Sequence, residues 1–196
     1  GTPPAAEPRL PVSQPADFNN IVYFMSANHL LAIDLRSGAE LFRKKIRYPA
    51  TARPAITRQY FYLIGNDKQL HVADSNMFDI FKVDADDMSQ ITSVISNSDS
   101  IFFATETGKV YCMDANKPVK RWQFDTAGPI DAALAKSSDA VYVSGRDTNL
   151  YKLDAQKGKL LWKFYTGSFL NSSARPTGKV VYQYAINKGV YAIDAN

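Results

Sequence analysis

The sequence predicts an all-β fold built from one four-stranded unit repeated along the chain. Three observations carry the prediction. Asp34, Asp74, Asp114, Asp154 and Asp194 stand at equal intervals of 40 residues. Each closes a short run of small or apolar residues, as in Ala32-Ile33-Asp34, Val72-Ala73-Asp74, Cys112-Met113-Asp114, Leu153-Asp154 and Ala192-Ile193-Asp194. The 196 residues include 11 Tyr and 11 Phe, and aromatics reach 12%, a composition that favours strands.

Other positions keep the same register. Leu31, His71, Tyr111, Tyr151 and Tyr191 each precede the aspartate by three residues. Phe42, Trp122 and Trp162 follow it by eight, with Phe81 one residue nearer. The fourth copy displays the unit most completely. Ile130 to Ala135 reads as a first strand, Val141 to Ser144 as a second, Leu150 to Leu153 as a third and Lys159 to Phe164 as a fourth. The second and fourth alternate in the period-2 manner of a pleated strand.

The turn after each aspartate has a physical basis. A carboxylate accepts backbone N–H groups ahead of it, and a glycine near the end supplies positive φ. Asp34 to Gly38 and Asp154 to Gly158 share this form. The third copy places Pro118 at the glycine position and the second places Phe78, so those two turns are expected to differ in shape.

Four antiparallel strands cannot bury both faces alone, and radial stacking of such units gives a β-propeller. Trp122 and Trp162 are expected between neighbouring blades. The fold class is therefore a β-propeller of four-stranded antiparallel blades, with five repeats of which the fifth is incomplete, because only Ala195 and Asn196 follow Asp194. Residues 12–196 form the propeller domain. Residues 1–11 read as a Pro/Ala-rich tether. Two arrangements stay open. A strand around Arg9 to Val12 closes a five-bladed ring, or the chain is an arc of a larger propeller. Pro8 and Pro11 favour the arc. Open edges of an arc predict self-association.

Here the residues resemble a known family. Leu150-Tyr151-Lys152-Leu153-Asp154-Ala155-Gln156-Lys157-Gly158-Lys159-Leu160-Leu161-Trp162 is similar to the pyrroloquinoline-quinone (PQQ)-like propeller repeat. Val110 to Ala115 with Trp122, and Val190 to Ala195, look like further copies. The resemblance implies seven or eight blades. Of its two branches, one contains quinoprotein dehydrogenases. The other contains non-enzymatic scaffolds such as the periplasmic propeller lipoprotein of the outer-membrane β-barrel assembly machinery. Trp122 precedes Gln123 and Trp162 precedes Lys163, which separates the chain from WD-repeat propellers of similar period.

The residues favour the scaffold branch. The enzymes hold the quinone against a ring of two adjacent disulfide-bonded cysteines, and this chain has only Cys112. No cofactor and no catalytic residue is expected. The alternative is a fragment of a quinoprotein-type dehydrogenase or other propeller enzyme whose active site lies in further blades. His29 and His71 are the only histidines; His71 occupies a Tyr position and reads as packing, while His29 falls in a turn. Asp84, Asp86 and Asp87 lack the glycine and distal glutamate of a calcium loop. No metal site is expected.

The net charge of +4 is modest, and the aromatics occupy core positions, so nucleic-acid binding is not expected. No apolar run reaches the roughly 18 residues of a membrane span, and no signal peptide is legible. The tether favours an exported, periplasmic or extracellular protein. A protein partner is expected, held by loops on a rigid scaffold. The loops that break the repeat are Asn66 to Lys68, Asp84 to Ser89, Gly145 to Asn149 and Tyr165 to Asn171. Tyr165, Phe169 and Leu170 are the candidate anchors, and Arg43, Lys44 and Lys45 form the candidate contact for an anionic surface.

Overall fold

A computed structural model of the chain describes residues 13–26, 28–50 and 52–196. The tether expected over 1–11 and the closing strand around 9–12 lie outside the described residues. Among the described residues, nineteen strands form five antiparallel sheets in chain order. Blade 1 holds β1 (Ala16–Phe18), β2 (Ile21–Ser26), β3 (His29–Asp34) and β4 (Glu40–Lys45). Blade 2 holds β5 (Ala55–Ile56), β6 (Phe61–Ile64), β7 (Leu70–Ala73) and β8 (Asp79–Val83). Blade 3 holds β9 (Ile91–Ser96), β10 (Ser100–Thr105), β11 (Lys109–Asp114) and β12 (Lys120–Asp125). Blade 4 holds β13 (Ala135–Lys136), β14 (Ala140–Ser144), β15 (Asn149–Asp154) and β16 (Leu160–Tyr165). Blade 5 has three strands: β17 (Arg175–Thr177), β18 (Val180–Ala185) and β19 (Gly189–Asp194).

The first strand of blade 4 is shorter than the expected Ile130 to Ala135. Ile130, Ala132 and Leu134 are buried. The Leu134 N–H donates to Ser93 Oγ of blade 3 at 2.9 Å. This segment therefore packs across to the neighbouring blade and leaves its own ladder. His29 lies in β3, not in a turn.

The repeated aspartates act as expected. Their Oδ1 atoms accept the N–H two residues on, from Arg36, Asn76, Asn116, Gln156 and Asn196, at 2.8–3.0 Å. Gly38 and Gly158 have φ of 71° and 68°. In blade 2 the Asp74 N–H bonds the Phe78 carbonyl, whereas the Asp34 and Asp154 N–H groups bond Ala39 and Lys159. That turn is one residue shorter, which moves Phe81 by one, and Met77 takes the positive φ of 65°. The Pro118 turn is tightened by a Val119 N–H to Lys117 carbonyl bond of 2.7 Å.

Each pair of neighbouring blades encloses its own apolar layer. Tyr23, Met25 and Leu30 of blade 1 meet Ile56 and Leu63 of blade 2. Tyr62 and Leu70 of blade 2 meet Phe103 and Tyr111 of blade 3. Phe102, Val110, Cys112 and Trp122 meet Val141, Tyr151 and Ala155. Tyr142 and Leu150 meet Val181 and Ala185. Successive side chains of one strand thus serve two different layers. That is why β10 is buried at every position, while β18 alternates between buried and exposed.

Polar locks cross these layers at one repeated place, the carbonyl of the residue that follows the repeated Asp. Tyr62 Oη donates to the Ala115 carbonyl at 2.6 Å, and Trp122 Nε1 to the Ala155 carbonyl at 3.0 Å. In the last layer Lys152 Nζ reaches the Ala195 carbonyl at 2.5 Å. Trp162 Nε1 is then buried without a hydrogen-bond partner among the described residues. The two tryptophans of the repeat should therefore respond differently. Trp122→Phe is expected to cost about 1–2 kcal/mol, because it leaves a buried carbonyl unpaired. Trp162→Phe should stay within about 0.5 kcal/mol of wild type, the range of neutral changes. Urea unfolding of the two variants side by side checks this.

Candidate interaction surface

The antiparallel order puts the second-to-third-strand turns and the blade-to-blade linkers at one end of the propeller. All four loops singled out from the sequence fall there. They are tied together. Gln69 Nε2 donates to Asp84 Oδ1 at 3.0 Å, and Thr107 Oγ1 to Asp87 Oδ2 at 2.8 Å. The Ala127 N–H donates to Asp147 Oδ2 at 3.1 Å, and the Thr166 N–H to the Thr148 carbonyl at 2.9 Å. Gly145 lies so close beneath Asp147 that a Cβ there would stand 2.4 Å from Asp147 Oδ1. A third-strand aromatic latches each of three linkers. Tyr111 Oη accepts the Asp86 N–H, Tyr151 Oη accepts the Ala127 N–H while donating to Asp147 in the turn of its own blade, and Tyr191 Oη donates to the Thr166 carbonyl. Burial and the Asp147 contact push the Tyr151 phenol up to about 12, so it remains a hydrogen donor.

On this floor stand Tyr165 and Phe169, 71% and 54% exposed. Thr166 between them is buried, and its Oγ1 donates to the carbonyls of Thr148 and Ser168. The loop is thus held from below while the two rings face water. The Arg146 guanidinium lies 5.7 Å from the centre of the Phe169 ring and 3.3 Å from Asp131. Leu170 does not belong to this group. It is fully buried in the layer between blades 4 and 5, and its N–H donates to the Gly145 carbonyl. It stands one repeat after Ile130, which is buried likewise.

The basic cluster is mostly engaged within the protein. Arg43 pairs with Glu40 at 2.8 Å. Lys44 Nζ donates to the Ser75 carbonyl of blade 2 and lies 5.0 Å from the Phe42 ring. Lys45 is exposed at the end of β4.

His71, expected as a packing residue, also has polar contacts. The ring is buried and stacks on Tyr48 at a centroid distance of 3.5 Å. Nδ1 lies 2.9 Å from Asp79 Oδ2, and Nε2 lies 3.0 Å from Asp67 Oδ2. Both ring nitrogens meet carboxylate oxygens. Lys82 Nζ lies 3.9 Å from each carboxylate. Spacing gave no clue to Asp79, which sits across the β7–β8 turn.

Among the described residues no group of three His, Cys, Asp or Glu side chains is arranged to hold a metal. Asp86 instead pairs with Lys120 at 2.5 Å, and Asp87 accepts Ser89 and Thr107 hydroxyls. Burial pushes the Cys112 thiol up to about 11, which makes it a poor nucleophile.

Residues 106–196 match the PQQ-like family model described as outer membrane protein assembly factor BamB. Residues 106–196 are thus similar to PQQ-like propeller repeats. A search of curated protein sequences found no match. Among solved structures, BamB from Moraxella catarrhalis is 14% identical with a TM-score of 0.71; the similarity spans 94% of this chain and 60% of that one. The computationally designed Ika8 protein is 16% identical with a TM-score of 0.75, over 93% of this chain and 58% of that one. The designed Ika4 protein is 17% identical with a TM-score of 0.68, over 76% of this chain and 93% of that one. These likenesses establish the propeller fold. The chain spans about three fifths of the length of BamB. No described helix is long and apolar enough to cross a membrane.

Proposed function

We propose that this PQQ-like propeller is a non-catalytic scaffold that docks a protein partner at its loop end, through Tyr165, Phe169 and Arg146. One observation carries the reading: two exposed aromatic rings stand on loops whose backbone is fixed by buried threonine and glycine contacts. Such anchors lose little conformational freedom on binding, and aromatic and Arg residues dominate interface hot spots. Lys45 at the rim would steer an acidic partner. The description of the matched family model as an outer membrane protein assembly factor supports a periplasmic location and a partner in that assembly process. Tyr182, Tyr184 and Val190 of blade 5 are 44%, 47% and 68% exposed, whereas their counterparts Tyr142, Ser144 and Leu150 are buried under blade 5, so this face would take a further blade or a second copy of the chain.

Binding of the chain to purified periplasmic components of the outer-membrane assembly machinery tests the proposal. Tyr165→Ala and Phe169→Ala are each expected to weaken binding by about 2 kcal/mol, as hot-spot truncations do. Lys159→Ala, at the opposite end, should not. Equal affinity for all three variants would overturn the surface. With PQQ and calcium the chain is expected to support no dye-linked alcohol oxidation, and sustained turnover would favour the dehydrogenase reading.

A further inference from the structure

At the end opposite the aromatic loops, the innermost strands border a cavity of about 760 Å³. Its wall includes Asp17 of blade 1, Arg53 and Arg58 at the start of blade 2, Asn97 and Asn116 of blade 3, and Lys136 of blade 4. Cations thus arrive from separate blades. Arg53 and Lys136 line the same wall, and Lys136 is pulled below the usual lysine range first by burial and then by the Arg53 charge. Arg53 is lowered first by burial, with Asp17 opposing and Arg175 of blade 5 adding to the fall.

The counter-charge is thin. Asp17 is the one carboxylate among the described residues of the wall. Neither Arg53 nor Lys136 forms a salt bridge among the described residues; Lys136 Nζ donates to the Ser96 carbonyl. Asn97 turns its amide oxygen to the N–H groups of Asp99 and Ser100, and its NH2 has no acceptor among the described residues. The wall therefore offers donors and positive charge in a partly desolvated hollow, where like charges repel more strongly than in water. A hollow of this volume suits a small molecule.

We propose that this channel mouth binds a small oxyanion carrying two or more charges, with Arg53 as its forked donor, Lys136 as a point charge and Asn97 as a neutral donor. Asp17 offsets one of the three cations of the wall, Arg53, Arg58 and Lys136, and the two positive charges left over match a doubly charged ligand better than a monoanion. Carboxylates and phosphates share the required chemistry.

Calorimetric titration of the chain with citrate, pyrophosphate and acetate at matched ionic strength tests the proposal. Citrate or pyrophosphate should bind one to one, at least about tenfold tighter than acetate, and the tighter of the two names the source of the oxyanion. Arg53→Gln and Lys136→Gln should each weaken binding about tenfold, the loss of one charge-assisted hydrogen bond. Asp17→Asn should tighten it severalfold, a change that misfolding would not produce. Lys163→Gln, on the outer strand of blade 4, should leave it unchanged. Equal binding of acetate and citrate, or indifference to both Arg53→Gln and Lys136→Gln in variants with unchanged circular dichroism, would overturn the site.

Discussion

Gly158→Ala is expected to destabilise the protein by about 2–5 kcal/mol, and Gly158→Val by more. Two effects add. The left-handed backbone at Gly158, with φ of 68°, costs an L-residue about 1–2 kcal/mol. A Cβ there would also stand 2.5 Å from Trp122 Cδ2 and 2.7 Å from Cγ, and overpacking of that kind costs about 1–3 kcal/mol. Gly38 separates the two effects. It occupies the same turn of blade 1 at φ of 71°, with nothing within 4 Å of its Cβ position. Gly38→Ala should therefore show the conformational part alone, about 1–2 kcal/mol. Removing the tryptophan makes the same separation from the other side. In a Trp122→Ala background, Gly158→Ala should cost no more than Gly38→Ala does. Denaturant midpoints of the four proteins form a double-mutant cycle. Equal costs of Gly158→Ala with and without Trp122 would refute the inter-blade contact.

His71→Ala is expected to cost about 2–4 kcal/mol, in the range of large-to-small changes in a core. It removes the stack on Tyr48 between blades 1 and 2 and leaves Asp67 and Asp79 facing each other with only Lys82 between them. His71→Tyr should not rescue it, although Tyr is the residue of the later repeats. Gly65 closes the space, since a Cβ there would stand 2.8 Å from His71 Nε2. The site also carries a pH signature. Burial pushes the Asp67 carboxyl up, but the His71 and Gln69 hydrogen bonds and the His71 and Lys82 charges together hold it below the usual range. A carboxylate with a lowered folded value stabilises fully above its unfolded value near 4, and this contribution fades as pH falls through the folded value. Wild-type stability should thus fall as pH drops below about 4, and His71→Ala should fall less steeply there. Parallel slopes for the two proteins between pH 5 and 2.5 would contradict the linkage.

The local rules of the blade were legible because they act over a few residues. The spacing of Asp34 to Asp194 located the turns, and the structure places one Asx-type bond after each. The displaced Phe81 already marked the shorter turn of blade 2. The candidate anchors were legible only in part. Tyr165 and Phe169 are exposed, whereas Leu170, their neighbour in sequence, is buried. Adjacent residues of a loop, such as Phe169 and Leu170, can face opposite sides, and which side depends on the blade beneath.

What the sequence by itself determined was the repeat: its period, its strands and the chemistry of its turns, all consequences of backbone preference and of side chains bonding their near neighbours. What only the tertiary structure decided lies between blades. Trp122 over Gly158, Lys152 in place of Trp162 at the Ala195 carbonyl, His71 between Asp67 and Asp79, and Arg53 beside Lys136 at the channel mouth all join groups far apart in the chain or across a turn. A repeat fixes which positions meet, because each blade stacks on the next in the same register. It does not fix which of two donors takes a shared carbonyl, or whether a buried ring finds one carboxylate or two. Those outcomes depend on side-chain reach and on the desolvation of each group once the layers close.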